Sequence, residues 1–274
     1  MALMTNLDDP VALQSLDPSG MLDHVAALPN QCRDAWAAFH NLRLPESHNQ
    51  PKRVIDAGKA GSAIGGDLAS AVAQGPSTAP VLVHRDYGLP GFADAETVII
   101  ASSYSGNTEE VLAALAEARK RGCPLVAITT GGKLASLAEE WSIPLLTFDY
   151  ASQPRAAVGY SFVCQLAVLQ AMGLLHDVGA ALEEATRLLV QRDGELGPDS
   201  PLADNEAKQL ATSLYGRVPV TIGTGHLAPA ARRWKSQFNE NTKAWAYFED
   251  LPEMNHNAVS GIHFPPTAVD WFRV

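Results

Sequence analysis

Through the middle of the chain, short apolar runs alternate with longer stretches whose apolar positions recur at helical spacing. Residues Arg53–Ala57, Val81–His84, Thr97–Ala101, Leu125–Thr129 and Pro144–Phe148 read as five strands. Between them, a helix is predicted from about Ala63 onward and another from Thr108 to Lys120. The second opens on Glu109 and Glu110 and closes on Arg119, Lys120 and Arg121, the charge order that suits a helix dipole. Leu134, Leu137, Ala138 and Trp141 mark one face of a further helix. Strands alternating with helices of this length imply βαβ crossovers, hence an α/β fold with a parallel sheet flanked by helices. Such sheets bind ligands at the carboxyl ends of their strands.

The flanks are less regular. Asp17 to Asn41 reads as one or two helices, and Pro45 to Pro51 as a loop. Ala156 to Leu175 holds no charge and is long enough to cross a bilayer. Its Gly159, Tyr160, Ser161, Gln165 and Gln170 instead favour a core helix. After the loop Arg192–Pro201 the same grammar repeats in shorter form. Helix is expected at Asn205–Leu214, strand at Val218–Ile222, helix at Ala228–Asn239 and strand at Ala244–Phe248. A short helix near Glu253–Ser260 and an apolar end, Val269–Val274, readable as a last strand, complete the pattern. The resulting division is 1–150, a helical bridge 151–200, and a second sheet unit 201–274.

Charge narrows the partners. Twenty Lys and Arg against thirty Asp and Glu give a net −10, which argues against general nucleic-acid or anionic-membrane binding. A small anion remains compatible, because backbone N–H groups and hydroxyls can hold a phosphate locally. Cys32, Cys123 and Cys164 are few and far apart, so neither a disulfide framework nor a structural zinc site is expected. The acidic N-terminus lacks the basic and apolar regions of a signal peptide, which suggests a cytoplasmic protein.

The loop after the third strand carries the densest chemistry. Ser102, Ser103, Ser105 and Thr108 surround Gly106 between a buried strand and a helix start. One hydroxyl would serve as a helix cap; four in seven residues favour anion binding. The glycines from Gly58 to Gly66 fit neither a Walker A nor a dinucleotide fingerprint. They read equally as a close helix–strand turn, with Ser62 able to add a donor. Glu240 and His256 are a carboxylate and an imidazole of the kind that transfer protons, but pattern alone favours a solvated helix residue and a cap. Arg155 stands at a helix start, where its charge opposes the dipole.

Taken together, LDPSGMLDHVAALPNQ (16–31), GSAIGGDL (61–68), RDYGLP (85–90), VIIASSYSGNTEE (98–110), AITTGGKLASLAEE (127–140), QPRAAVGY (153–160), NENTKA (239–244) and LPEMNHN (251–257) resemble the bifunctional phosphoglucose/phosphomannose isomerases of the sugar-isomerase (SIS) domain superfamily. The resemblance implies two SIS subdomains, each a three-layer αβα unit, with the C-terminal one short against the family. It implies a phosphosugar clamp made of Ser62, Ser103, Ser105 and Thr108, approached by the backbone of Gly61. By the same resemblance Glu240 is the base that moves a proton between C1 and C2, and His256 the ring-opening acid/base, supplied across a homodimer interface. Arg155 is then the cation beside the developing enediolate. Neither cofactor nor metal is implied. The activity expected is interconversion of glucose 6-phosphate, and also mannose 6-phosphate, with fructose 6-phosphate; the alternative is a non-catalytic phosphosugar sensor. One departure bears on the clamp: where the family reads GMGGS, this chain has Gly58-Lys59-Ala60-Gly61-Ser62. The other is that family members continue beyond the counterpart of Val274 with more sheet and a helix.

Overall fold

A computed structural model describes residues 6–274. Three helices come first: α1 (Pro10–Leu16), α2 (Met21–Ala26) and α3 (Leu28–Phe39). They are followed by β1 (Arg53–Gly58), α4 (Ala60–Ala73), β2 (Val81–His84), β3 (Thr97–Ser102), α5 (Glu109–Arg121), β4 (Leu125–Thr129), α6 (Gly132–Glu140) and β5 (Leu145–Thr147). The chain continues through α7 (Val158–Ala171), α8 (Gly179–Leu196), α9 (Glu206–Leu214), β6 (Val218–Thr224), α10 (Ala228–Gln237), β7 (Tyr247–Leu251), α11 (Ala258–Gly261) and β8 (Phe272–Arg273). It divides into two compact units, Asn30–Glu183 and a second that joins the described residues up to Pro29 to Glu184–Val274.

In the Asn30–Glu183 unit all five strands are parallel, in the order β2-β1-β3-β4-β5. Strand alternation sends Ile55, Ala57, Ile99, Ala101, Leu125 and Ala127 to one face, where they pack with Val111, Ala114, Leu115 and Ala118 of α5 and Leu134 and Ala138 of α6. The other face meets α4 and α7, which pack against each other. Parallel strands buried on both faces need apolar residues at nearly every position, and β3 and β4 are buried throughout. Because β2 and β3 lie on opposite sides of β1, the connections leaving β1 and β3 diverge, and Gly58 is paired in register with Ser102 at the top of the two strands. That divergence opens a crevice at the carboxyl ends of β1 and β3, where ligands bind in open α/β sheets.

The α7 segment, uncharged and apolar, is a 14-residue helix buried along most of its length. Among the described residues, no helix is long and apolar enough to cross a membrane.

The second unit holds a smaller parallel sheet, β7-β6-β8, with α10 packed against β6 and β7. Several boundaries differ from the sequence expectation. The strand expected at Ala244–Phe248 runs from Tyr247 to Leu251, because residues 238–242 first complete a π-helical turn and Lys243 then takes a left-handed conformation, φ 58°. The apolar end contributes only the two residues of β8. The short helix near Glu253–Ser260 is split into a 3-10 turn, Glu253–His256, and α11. Helix α1 lies outside the helices expected from the sequence; Asp9 caps it by accepting from the amides of Val11 and Ala12, and Pro10 opens it.

Candidate active site

The crevice between β1 and β3 is lined by hydroxyls that engage one another rather than water-facing surface. Ser103, almost fully buried, lies 2.7 Å from Thr108 through the two hydroxyl oxygens. Its Oγ also accepts the amide of Gly106 at 3.1 Å. Thr108 is the N-cap residue of α5, yet its side chain caps none of that helix's amides. Thr108 thus leaves the first amides of α5 without its side chain as a cap, while the Glu110 amide meets its own carboxylate; helix N-termini left uncapped in this way suit an anion. Gly106 has φ 67°, and a Cβ there would fall 1.8 Å from the carbonyl oxygen of Gly131, so this turn admits only glycine. From the β1 side, Ser62 accepts the backbone N–H of Tyr104 at 3.1 Å. Ser105 differs from the others: its side chain is exposed, and its Oγ accepts the amide of Asn107 at 3.2 Å.

The turn that bears Arg155 belongs to the same unit and abuts this crevice. A Cβ on Gly61 would lie 2.5 Å from the carbonyl oxygen of Pro154 and 3.1 Å from the amide of Arg155. Gly61 thus lets the start of α4 and the Arg155 turn come into backbone contact. Gln31, buried in α3, holds the turn from its far side. It donates to the carbonyl of Ala156 at 2.8 Å and accepts the amide of Gly159 at 3.1 Å. Sequence reasoning gave Gln31 no role, although it closes one of the family-like segments.

Beneath the crevice lies a buried acid. Asp56 of β1 accepts from Gln165 Nε2 of α7 at 2.8 Å through Oδ1, while Oδ2 has no hydrogen-bond partner. Gly66 makes the space, since a Cβ there would meet Oδ2 at 1.8 Å. Burial raises the carboxyl to about 7, opposed by the Gln165 hydrogen bond.

In the turn Gly58–Ser62, one non-glycine residue takes a conformation that glycine adopts more readily. Ala60 has φ 43°, the left-handed region that glycine adopts freely, so the substitution leaves strain of about 1 kcal/mol in the backbone. Lys59 forms an ion pair with Glu110 in the first turn of α5, 3.3 Å apart. The lysine therefore ties the end of β1 to the first turn of α5.

Glu240 and His256 lie in the other unit. Glu240 stands on the π-helical turn Phe238–Thr242, a geometry found often at functional sites. The turn is fixed by Thr242 donating to the Phe238 carbonyl at 2.7 Å and Asn239 donating to that of Ala244 at 2.9 Å. Arg233, two helical turns earlier, is depressed to about 10 by burial, while the charge of Glu240 acts in the opposite direction. His256 ends the 3-10 turn Glu253–His256 and is exposed. Among the described residues, no group of three or more His, Cys, Asp or Glu side chains is placed to hold a metal ion.

Residues 58–175 match the SIS domain, and residues 203–273 match the bacterial phospho-glucose isomerase C-terminal SIS domain. The bifunctional phosphoglucose/phosphomannose isomerase of Caldicellulosiruptor bescii is 38% identical over 255 residues, 93% of this chain and 75% of that protein. This chain belongs to the bifunctional phosphoglucose/phosphomannose isomerase family. The family's Aquifex aeolicus member is 37% identical over 77% of this chain and 62% of its own length. The chain thus spans three quarters of the first relative and about three fifths of the second. Escherichia coli tagatose-6-phosphate ketose/aldose isomerase shares the fold, with a TM-score of 0.64 at 18% identity over 89% of this chain and 70% of that one. Within the phosphoglucose/phosphomannose isomerase frame, Gly61, Ser62, Ser103, Thr108 and the Arg155 turn are gathered in one unit, while Glu240 and His256 stand in the second.

Proposed function

We propose that this chain interconverts glucose 6-phosphate, and also mannose 6-phosphate, with fructose 6-phosphate by proton transfer through an enediolate. The observation that carries this reading is the crevice at the ends of β1 and β3, whose hydroxyls and α5 amides suit a phosphate, in a chain of this family. The reading assigns phosphate binding to Gly61, Ser62, Ser103, Ser105 and Thr108. Glu240 takes the C2 proton of the open-chain aldose and returns it at C1. Arg155 offsets the negative charge that develops on the enediolate oxygens. His256 exchanges the ring-oxygen proton as the pyranose opens. Cytoplasmic location and a homodimer that shares its sites across the interface form part of the same proposal.

Conversion of glucose 6-phosphate to fructose 6-phosphate, followed by carbon NMR, tests it. Glu240→Gln should lower kcat by about 10²–10⁴, the usual worth of a general base. Affinity for fructose 6-phosphate should be almost unchanged, because the phosphate contacts remain. A sensor without turnover has one observation in its favour, the strained Lys59–Ala60 turn. Tight fructose 6-phosphate binding with no conversion by the natural full-length protein would select that reading instead.

A further inference from the structure

Tyr104 sits in the middle of the hydroxyl loop and belongs to none of the roles assigned above. Its three polar groups reach three different segments. The backbone N–H donates to Ser62 at the start of α4. The carbonyl accepts from the Thr130 amide at 3.1 Å and the Thr130 hydroxyl at 2.6 Å, beyond the end of β4. The phenol oxygen accepts the Ser152 amide at 2.9 Å and has the carbonyl oxygens of Tyr150 and Ser152 within reach of its single proton. Its ring packs at a tilt on Phe148, with centroids 6.3 Å apart.

The segment the phenol grips leads directly into the turn that carries Arg155. Ser152 donates its hydroxyl to the Gln153 carbonyl at 3.1 Å, and that carbonyl accepts the Ala156 amide at 2.9 Å. Gln31 fixes the downstream side and also donates to the Tyr150 hydroxyl at 3.0 Å. Gly61 supports the turn at Pro154. Of these three supports, only Tyr104 comes from the loop that bears Ser103 and Thr108. The division within the residue is useful: its backbone organises the hydroxyl crevice, and its side chain organises the Arg155 turn.

We propose that Tyr104 is a positioning residue whose phenol hydroxyl sets the Arg155 turn against the Ser103–Thr108 loop. This rests on the isomerase reading for its catalytic consequence, though not for its structural one. Tyr104→Phe keeps the ring and every backbone contact to Ser62 and Thr130, and removes only the grip on residues 150–152. Amide exchange followed by mass spectrometry should then rise at least tenfold at residues 150–157 and stay unchanged at 102–108, as expected when the phenol's accepted and donated hydrogen bonds are both lost. In turnover, kcat should fall about tenfold with KM and inhibition by inorganic phosphate nearly constant. In an Arg155→Met background the same change should cost almost nothing further, since the two act as one unit.

Unchanged exchange at 150–157 overturns the proposal whether or not the chain turns over. So does an equal loss of phosphate affinity and kcat, which marks a general loosening of the loop. Absence of turnover in the wild-type chain contradicts the isomerase reading instead, and leaves the exchange result to judge Tyr104.

Discussion

The two parallel sheets differ in how completely they are enclosed. In the five-stranded sheet, Ile99, Ile100, Val126 and Ala127 are wholly buried, with helices on both faces. In the three-stranded sheet, β6 is mostly half-buried, and Trp245 and Trp271 nearby are 71% and 63% exposed. The contrast separates two tasks. The enclosed sheet fixes strand ends closely enough for hydroxyls from Ser62, Ser103 and Thr108 to hold a shared geometry. The open sheet presents its candidate groups, Glu240 and His256, on a π-helical turn and a 3-10 turn beyond its packed elements. The residues proposed to bind phosphate therefore stand on the more enclosed frame, and those proposed to transfer protons on the less enclosed one.

The largest expected effect tests that contrast in the cores. Ile99→Ala should cost about 3–4 kcal/mol of stability, while Val220→Ala on half-buried β6 should cost about 1 kcal/mol or less. Urea unfolding measures both, and equal losses would break the comparison.

The next effect asks how dry the enclosed sheet is. Native Asp56 keeps its proton up to about pH 7, whereas the unfolded chain releases it near 3.8. Between those values the native state binds more protons, so this group lowers stability as pH rises from about 4 to 7, by on the order of 3 kcal/mol. Asn resembles the protonated acid and does not titrate. Asp56→Asn should therefore remove this fall, read from unfolding free energies measured across that pH range. An unchanged slope would mean that water reaches Asp56.

A smaller effect concerns strain at the crevice itself. Ala60→Gly should stabilise the protein by about 1 kcal/mol, because glycine adopts the positive φ without a Cβ clash. Thermal unfolding measures it, and a destabilised variant would show that the turn is not strained.

The same contrast explains what could be read in the chain. All five strands of the enclosed sheet were legible to within about a residue, since burial on both faces demands continuous apolar runs such as Thr97–Ser102. Helix α4 starts at Ala60, three residues before the start that its apolar spacing predicts. Gly61, Gly65 and Gly66 weaken its helical signal, yet the close approaches to Pro154, Ser161 and Asp56 require them. In the open sheet, β7 starts three residues after the expected position, because an edge strand ending in Glu249-Asp250-Leu251 reads as turn in the absence of its partners. The hydroxyl loop stood out by density alone. The parts played by Tyr104 and Gln31 did not, because their partners are backbone groups of segments far along the chain, and spacing carries no trace of them.

Incubating glucose 6-phosphate with the protein in deuterium oxide reports proton transfer on the phosphosugar itself. Deuterium should appear at C2, detected by proton NMR, with wild-type protein, and almost none with Glu240→Gln. Glucose 6-phosphate that binds and keeps its C2 proton in the presence of wild-type protein would contradict that transfer.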